Sequence, residues 1–203
     1  MTQPKIIGIV GASGSGKTTV AHELAQLAGE CCLISQDNYY RDLPDGTDPI
    51  DWNFDNPAVI DLEHLARDLA ALKRGEAVAG PHYHFATHKR LPGTLPLTPA
   101  PIILVEGLFL FTTQHLRDVF DLKLFIDVPL AVCLERRVTR DVIERGRTEA
   151  VIRQRWAEQV EPMFMLHVQP ARAAADVLLH PAEPGTPERT EQLSQCLNLN
   201  VSE

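Results

Sequence analysis

The chain has 203 residues, 44% of them hydrophobic, and a formal net charge of -8 at pH 7. This length suits one well-buried α/β domain with room for an insertion. The acidic balance argues against general nucleic-acid or membrane-surface binding, because such binders carry a basic excess. We find no apolar run of about 18 residues and no signal-peptide pattern, so we expect a soluble, cytoplasmic protein.

The first informative stretch is a glycine-rich turn between a predicted strand and a predicted helix. The apolar run 6–10 predicts a buried parallel strand, and apolar residues at helical spacing follow over 20–28. Between them, residues 11–18 fit the phosphate-binding pattern G-x-x-x-x-G-K-[ST]. Glycines let backbone N–H groups approach a triphosphate, and the helix N-terminus adds more of them. We predict that the phosphates of a nucleotide contact Gly11, Ala12, Ser13, Gly14, Ser15, Gly16, Lys17, Thr18 and Thr19.

A second apolar run, 31–34, predicts a short strand that ends just before Asp37. Ligands of an open parallel sheet gather beyond the carboxyl ends of its strands, so Asp37 and the phosphate loop should share one edge. A carboxylate there can orient an attacking hydroxyl and accept its proton, as kinase chemistry requires. The alternative is an aspartate that only caps a turn.

Residues 44–57 are rich in Pro, Asp, Asn and Gly, and they predict a loop. The dipeptide Asn56-Pro57 at its end predicts a helix start. Leucines at helical spacing over 62–72 give that helix one apolar face, and Gly75 ends it.

Aromatic residues near this loop indicate a base-binding site. In Phe54 and Asp55, a ring that can stack on a base adjoins a carboxylate that can accept from ribose hydroxyls, although such a pair can also be a packing corner. Residues 77–98 alternate apolar and polar side chains between Pro and Gly, which predicts a β-hairpin insertion. The ring side chains of this hairpin that suit a base pocket are Tyr83, Phe85 and His88.

The apolar run 102–105 predicts another buried strand, with Glu106 at its carboxyl end. An acidic residue at this point of a phosphate-loop enzyme can hold Mg²⁺ directly or through water, and the Thr18 hydroxyl is a second suitable ligand. We predict a Mg²⁺ site at Thr18 and Glu106. A purely structural carboxylate at position 106 is the alternative.

The remaining elements are a short helix over 114–120, a strand over 122–128 and a helix with Pro129 in its first position. We predict the inner face of that helix to be Leu130, Cys133, Leu134, Val138 and Val142, and its outer face to carry Arg136, Arg137, Arg140, Arg145 and Arg147. A second helix from about residue 149 should kink at Pro162, before an edge strand over 177–179 and a short terminal helix.

Arginines are concentrated between residues 136 and 155, where seven of them stand against three acids, a local charge of +4. A solvated charged face is the ordinary interpretation of such a run. With a phosphate loop upstream, bidentate arginines also suit polyphosphate and a transferring phosphoryl group.

Taken together, these segments resemble the uridine kinase family, which is related to phosphoribulokinase. The resemblance covers residues 5 to about 180 and rests on eight segments in this order: GASGSGKTT, SQDNYYRD, NFDNPAVID, PHYHFATHKR, VEGLFLF, DLKLFID, RRVTRDVIERGR and VEPMFMLHVQPARAAADVLL. The chain departs from the family pattern at two positions near the expected ribose: Arg155 stands where a glutamine is usual, and Asn56 where a histidine is common.

The resemblance implies roles for the residues that match the family motifs. Asp37 corresponds to the general base on the ribose 5′-hydroxyl, and Asp55 to the ribose-binding carboxylate. Phe54, Tyr83, Phe85 and His88 correspond to the pyrimidine pocket. The arginines of the closing region, which touch nucleoside and phosphates, correspond to Arg137, Arg140, Arg145 and Arg147.

Our hypothesis from the sequence is an ATP-dependent, Mg²⁺-requiring kinase of uridine or cytidine that acts in pyrimidine salvage. Catalysis would fall to Lys17, Asp37, Arg140 and Arg145, with Arg147 on ATP and with Arg137 and Arg145 on the nucleoside. We expect one P-loop NTPase-type domain over 1–203, with three layers, a mainly parallel five-stranded sheet, an insertion around 77–98 and a closing region around 136–155. The partners would be small molecules, neither nucleic acid nor membrane, and the family implies a homo-tetramer. The alternatives are a kinase of another small acceptor, such as a sugar phosphate or pantothenate, and a nucleotide-binding regulatory module.

Overall fold

A computed structural model describes residues 3–49 and 52–199, and Ile50 and Asp51 of the predicted loop lie outside these ranges. Five strands form one sheet, namely β1 (Lys5–Gly11), β2 (Cys31–Ser35), β5 (Ile102–Gly107), β6 (Leu122–Ile126) and β7 (Val177–Leu179). Their order is β2-β5-β1-β6-β7, and every pairing is parallel. Strands β3 (Val78–His84) and β4 (Lys89–Leu97) pair antiparallel as a separate hairpin. The predicted parallel sheet with a hairpin insertion is confirmed.

Helices cover both faces of the sheet, which gives three layers. The helices are α1 (Lys17–Ala28), α2 (Leu62–Lys73), α3 (Gln114–Arg117), α4 (Leu130–Arg145), α5 (Glu149–Arg155), α6 (Glu161–Met163) and α7 (Pro187–Asn198). Apolar residues of α1 and α7 pack on one face of β1, and those of α2 and of the segment that follows α5 belong to the cluster on the other face. Within the described ranges, no helix has the length and apolar character needed to cross a bilayer.

The strand register brings the loops of the site to one edge of the sheet. Ser35, the last residue of β2, lies opposite Glu106 near the end of β5. Gly11, the last residue of β1, lies opposite Ile126 of β6. Because parallel strands end together, the segments that follow β1, β2 and β5 emerge side by side.

The predicted helix start at Asn56-Pro57 is wrong. Asn56 instead caps a 3₁₀ turn, Pro57–Val59, by accepting from the Ala58 N–H at 2.9 Å. Residue Ile60 is extended and bridges Tyr40, and Asp61 then caps α2 through the N–H of His64. The short extended stretch at Ile60 connects the loop to the turn that contains Asp37. It also separates the cap at Asn56 from the cap at Asp61, where the sequence alone indicated one helix start.

The prediction for α4 is also wrong in part. Pro129 is the N-cap of the helix rather than its first residue. Val142 is 43% exposed, whereas Asp141 beside it is fully buried and Arg137, predicted on the outer face, is buried as well. The inner face of α4 is therefore partly charged.

The helical segment after residue 149, in which we predicted a kink at Pro162, has widened turns on both sides of this proline. Two π-helical turns, Trp156–Val160 and Phe164–Val168, flank the short helix α6 that contains this proline. Proline lacks the N–H that an α-helical ladder needs, and a locally widened helix is one way to accommodate it. Trp156 and Phe164 are both buried in the core.

We expect Gly107→Ala to destabilise the protein by about 1–3 kcal/mol, as overpacking does elsewhere. A Cβ at position 107 would lie 2.5 Å from Cβ and 2.4 Å from Oε1 of the buried Gln36, whose Oε1 accepts from the Phe109 N–H. Urea unfolding measures the change. The matched control is Gly93→Ala, where a Cβ would meet no described atom within 4 Å. Equal stability of the two variants would contradict this packing argument.

Candidate active site

The glycine-rich turn after β1 wraps closely against α4. The Ser15 N–H donates to the Ala12 carbonyl at 3.0 Å, and Gly14 has a φ of 83°. A Cβ at Gly14 would lie 2.3 Å from the Cys133 carbonyl oxygen, so no side chain fits there. Arg136 of α4 donates to the Ser15 carbonyl at 3.4 Å. The turn and the first half of α4 therefore form one packed unit.

Hydrogen bonds connect four residues at this edge of the sheet. The Thr18 hydroxyl donates to one Glu106 oxygen at 3.2 Å, and the Ser35 hydroxyl donates to the other at 2.6 Å. Ser35 also accepts from the backbone N–H of Asp37 at 3.4 Å. These are hard oxygen donors of the kind that Mg²⁺ prefers, so the residues fit that ion. Our sequence analysis missed Ser35, although its place at the end of a strand beside Asp37 was a signal.

Asp37 is in an electrostatically unfavourable position. Burial and, after it, the negative charge of Glu106 raise the pKa of Asp37 to about 6, although the charges of Lys17 and Arg145 oppose the shift. A carboxylate with a pKa near the working pH is well suited to accept a proton.

Aromatic rings line another part of the same cleft. Phe54 and His88 stack with ring centroids 4.7 Å apart and an interplanar angle of 27°. Tyr40 lies between the loop and the hairpin, with centroids 6.0 Å from Phe54 and 5.3 Å from Tyr83. Phe85 is half exposed at the rim and contacts Tyr83 edge to face. Tyr40, which our sequence analysis did not include, joins the predicted rings into one wall.

Two buried polar atoms in this wall have no hydrogen-bond partner within the described part of the chain, the Tyr83 hydroxyl and His88 Nδ1. Among the residues that the structure describes, His88 is also the non-glycine residue with positive φ, 52°, a conformation that carries strain. Burial lowers the pKa of His88, and Arg147 lowers it further, so the ring is neutral at pH 7. A neutral imidazole can donate or accept a hydrogen bond, which suits the polar edge of a flat heterocycle.

The hairpin is tied to the segment that contains Asp37. Arg90 of β4 donates to the Tyr40 carbonyl at 2.9 Å and to the Tyr39 carbonyl at 3.0 Å. The Asn38 side chain accepts from the Tyr83 N–H at 3.4 Å. The rings and the carboxylate are thus positioned relative to each other by contacts to the main chain.

The arginines form ion pairs with acids, although several of them, including Arg145 at 42% exposure, remain partly open to solvent. Arg137 donates to Asp55 at 3.4 Å, and both side chains are largely buried. Arg140 donates to the buried Asp141 at 2.9 Å. Asp141 lies four residues from both Arg137 and Arg145, a spacing that favours ion pairs on one helix face, but we had assigned the inner face to apolar residues only.

These groups surround one cleft of about 520 Å³. The predicted residues that line it are Ser13, Lys17, Thr18, Asp37, Phe54, Asp55, Tyr83, Phe85, His88, Glu106, Arg137, Arg140, Arg145 and Arg147. Lining residues that we did not predict as site residues are Tyr40, Trp52, Ala86, Leu108, Glu144 and Gln159, and Arg155 also lines it. Within the phosphate loop, Gly11, Ala12 and Ser15 are buried, whereas Thr19 is exposed on α1.

Comparisons with known proteins agree with this architecture. The profile of the family described as "Phosphoribulokinase / Uridine kinase family" matches residues 6–183. A uridine kinase from Shewanella amazonensis is 40% identical over 182 residues, which cover 86% of each chain. A uridine kinase from Vibrio campbellii is 39% identical over 182 residues, 86% of this chain and 85% of its own. The solved structure of phosphoribulokinase from Rhodobacter spheroides has the same fold, with a TM-score of 0.65 at 14% identity over 87% of this chain and 69% of its own.

We expect Asp37→Asn to raise the free energy of unfolding at pH 7.5 by about 1–2 kcal/mol. The pKa of about 6 in the folded state exceeds the ordinary value of 3.8, so the folded protein binds this proton more tightly than the unfolded chain. Stability from the protonated carboxyl is complete below about pH 4 and is lost as the pH rises through about 6. The difference in the free energy of unfolding between Asp37→Asn and the parent protein should therefore grow from pH 4 to pH 7.

Urea unfolding at several pH values measures this difference. The control is Asp118→Asn, at an exposed carboxylate outside the cleft, which should change stability by less than about 0.5 kcal/mol at every pH. An Asp37→Asn variant no more stable than the parent at pH 7.5 would show that the carboxylate is not under electrostatic strain.

Proposed function

Because this chain belongs to the phosphoribulokinase/uridine kinase family, we propose that it transfers the γ-phosphoryl group of ATP to the 5′-hydroxyl of uridine or cytidine. One observation carries the proposal beyond the family. One cleft is lined both by Lys17 of the phosphate loop and Asp37 and by stacked aromatic rings. A nucleoside has the matching shape, with a flat base at one end and a primary alcohol at the other.

At the phosphate end, the loop N–H groups and Lys17 would hold the β and γ phosphates of ATP. Thr18 and Glu106 would hold Mg²⁺, which supplies charge neutralisation to the phosphates when it is bound. The Ser35 hydroxyl, hydrogen-bonded to Glu106 at 2.6 Å, would keep that carboxylate in place.

The chemical step needs one base and a correctly placed alcohol. Asp37 would accept the proton of the 5′-hydroxyl while the oxygen of that hydroxyl forms a bond to the γ phosphorus. The bond from that phosphorus to the bridging oxygen of ADP breaks, and ADP leaves. Arg140 and Arg145 would neutralise the charge on the transferring group, and Arg147 would contact ATP.

At the acceptor end, Asp55 would accept from the ribose hydroxyls, with Arg137 fixing its orientation through their ion pair at 3.4 Å. Phe54 and His88 would contact the base, and the Tyr83 hydroxyl and the His88 ring would meet its polar edge. Because the neutral imidazole both donates and accepts, uridine and cytidine would both be substrates. We also propose a cytoplasmic location and a homo-tetramer, which rest on the family alone.

The nearest rival is a kinase of a sugar phosphate. Such an acceptor has no flat ring, so it would leave the five-ring wall of the cleft without a role. A regulatory module that binds a nucleotide would not need that wall either. The aromatic end with its two unpartnered polar atoms therefore favours the nucleoside.

The direct test is a coupled ADP-release assay across a panel of acceptors. We expect uridine and cytidine to give the highest kcat/KM, and ribulose 5-phosphate and pantothenate to give rates near the acceptor-free background. Ribulose 5-phosphate outperforming uridine would reverse the assignment. ATP binding without ADP release on any acceptor would favour the regulatory module.

We expect Asp37→Asn to lower kcat with uridine by about 10²-fold or more, in the range for loss of a general base. The affinity for ADP, measured by calorimetry, should change little because the side chain acts on the acceptor. Asp118→Asn is again the control. Turnover of the Asp37→Asn variant at the parent rate would show that the proton goes elsewhere.

A further inference from the structure

Four arginines converge on one carboxylate behind the wall of the cleft. The Asp141 side chain is 0% exposed. Its Oδ1 accepts from Arg140 at 2.9 Å, and its Oδ2 lies 3.5 Å from Arg145, 3.5 Å from Arg147 and 3.7 Å from Arg137. All four arginines line the cleft, whereas Asp141 is not among its lining residues.

Charge balance shows what this carboxylate does for its neighbours. Four guanidinium groups so close together repel one another, and a single buried anion at their centre offsets that repulsion. Burial and the charges of Arg145, Arg155 and Arg137 lower the pKa of Arg147, with Asp141 acting in the opposite direction. Without the anion, the long side chains would separate into solvent and lose their common orientation.

The side chain of Asp141 is not needed to end the helix. The cap at the C-terminus of α4 uses the backbone carbonyl of Asp141, which accepts from the N–H groups of Gly146 and Arg147. A change confined to the carboxylate therefore leaves this cap in place. The side chain serves the arginines alone.

We propose that Asp141 is a positioning residue of the phosphoryl-transfer step, which holds Arg140, Arg145 and Arg147 toward the phosphates and Arg137 toward Asp55. This inference rests on the proposed function. It adds a residue that touches neither substrate and that controls both ends of the cleft, because Arg137 links the cluster to Asp55 at 3.4 Å. Preorganised cations assist catalysis only while their geometry is fixed.

The test compares Asp141→Asn, which keeps the shape and removes the charge, with Glu135→Gln as a matched control. Glu135 is on the same helix and pairs with Arg153 at 2.7 Å, but it is outside the cleft. We expect Asp141→Asn to lower kcat by about 30- to 100-fold, within the range for loss of transition-state charge stabilisation. The Kd for ADP without acceptor should stay within about threefold of the parent, and Glu135→Gln should match the parent in both.

A double-mutant cycle separates positioning from a general loss of stability. If Asp141 acts through the arginines, Asp141→Asn should cost at least about threefold less in an Arg140→Gln, Arg145→Gln background than in the parent. Equal losses in both backgrounds would overturn the proposal, as would a folded Asp141→Asn variant with kcat within about threefold of the parent. Circular dichroism and urea unfolding under assay conditions establish the folded fraction.

Should Asp141→Asn fail to fold, Asp141→Glu carries the same test. Its carboxylate is displaced by one methylene, so kcat should fall by about tenfold with the Kd for ADP unchanged, and full activity would overturn the proposal. The two hypotheses fail differently. A parent protein that phosphorylates no nucleoside contradicts the proposed function, whereas an active parent matched by its Asp141 variants contradicts only this inference.

Discussion

The pairing of β2 with β5 is the constraint on which the site depends. It sets Ser35 opposite Glu106, so that the segments after these strands start from adjacent points. Asp37 follows two residues after Ser35, and the glycine-rich turn follows the neighbouring strand β1. A slip of one residue would turn each side chain to the other face of the sheet and separate these groups. The register thus concentrates negative charge where the phosphate loop begins.

That concentration of charge is balanced by cations from other parts of the chain. Lys17 comes from the phosphate loop, whereas Arg145 comes from the end of α4, more than a hundred residues later in the sequence than either Lys17 or Asp37. The protein as a whole is acidic, yet the region around α4 carries a local excess of arginine. In and around the cleft, the carboxylates repel one another and the guanidinium groups repel one another. The attraction between the two sets of opposite charge offsets this repulsion. Such an arrangement trades stability for function, as strained sites generally do.

Much of this structure could be predicted from the sequence, because the strands have short apolar runs and the phosphate loop has a rigid spacing. The hairpin and its rings were also evident from alternation. The burial of the charges of α4 was not, since the i,i+4 spacing places Asp141 beside Arg137 and Arg145 but does not show that the group is covered by the fold. Tyr40 and Ser35 were missed for a related reason. The role of Tyr40 comes from contacts with Phe54 and Tyr83 that no local pattern records, and the position of Ser35 at a strand end does not show its bond to Glu106 on the neighbouring strand.

The attachment of the hairpin has a consequence for how this protein can change. Arg90 donates hydrogen bonds to the backbone carbonyl groups of Tyr39 and Tyr40. Because every residue has a backbone carbonyl, this attachment does not depend on the side chains at positions 39 and 40. The Phe85 ring, half exposed at the rim, can therefore be exchanged while the scaffold beneath it keeps its place, whereas Tyr83 is buried in the core. Under the proposed function, a change of an exposed side chain at the hairpin tip would alter contacts to the acceptor without displacing the segment that contains Asp37.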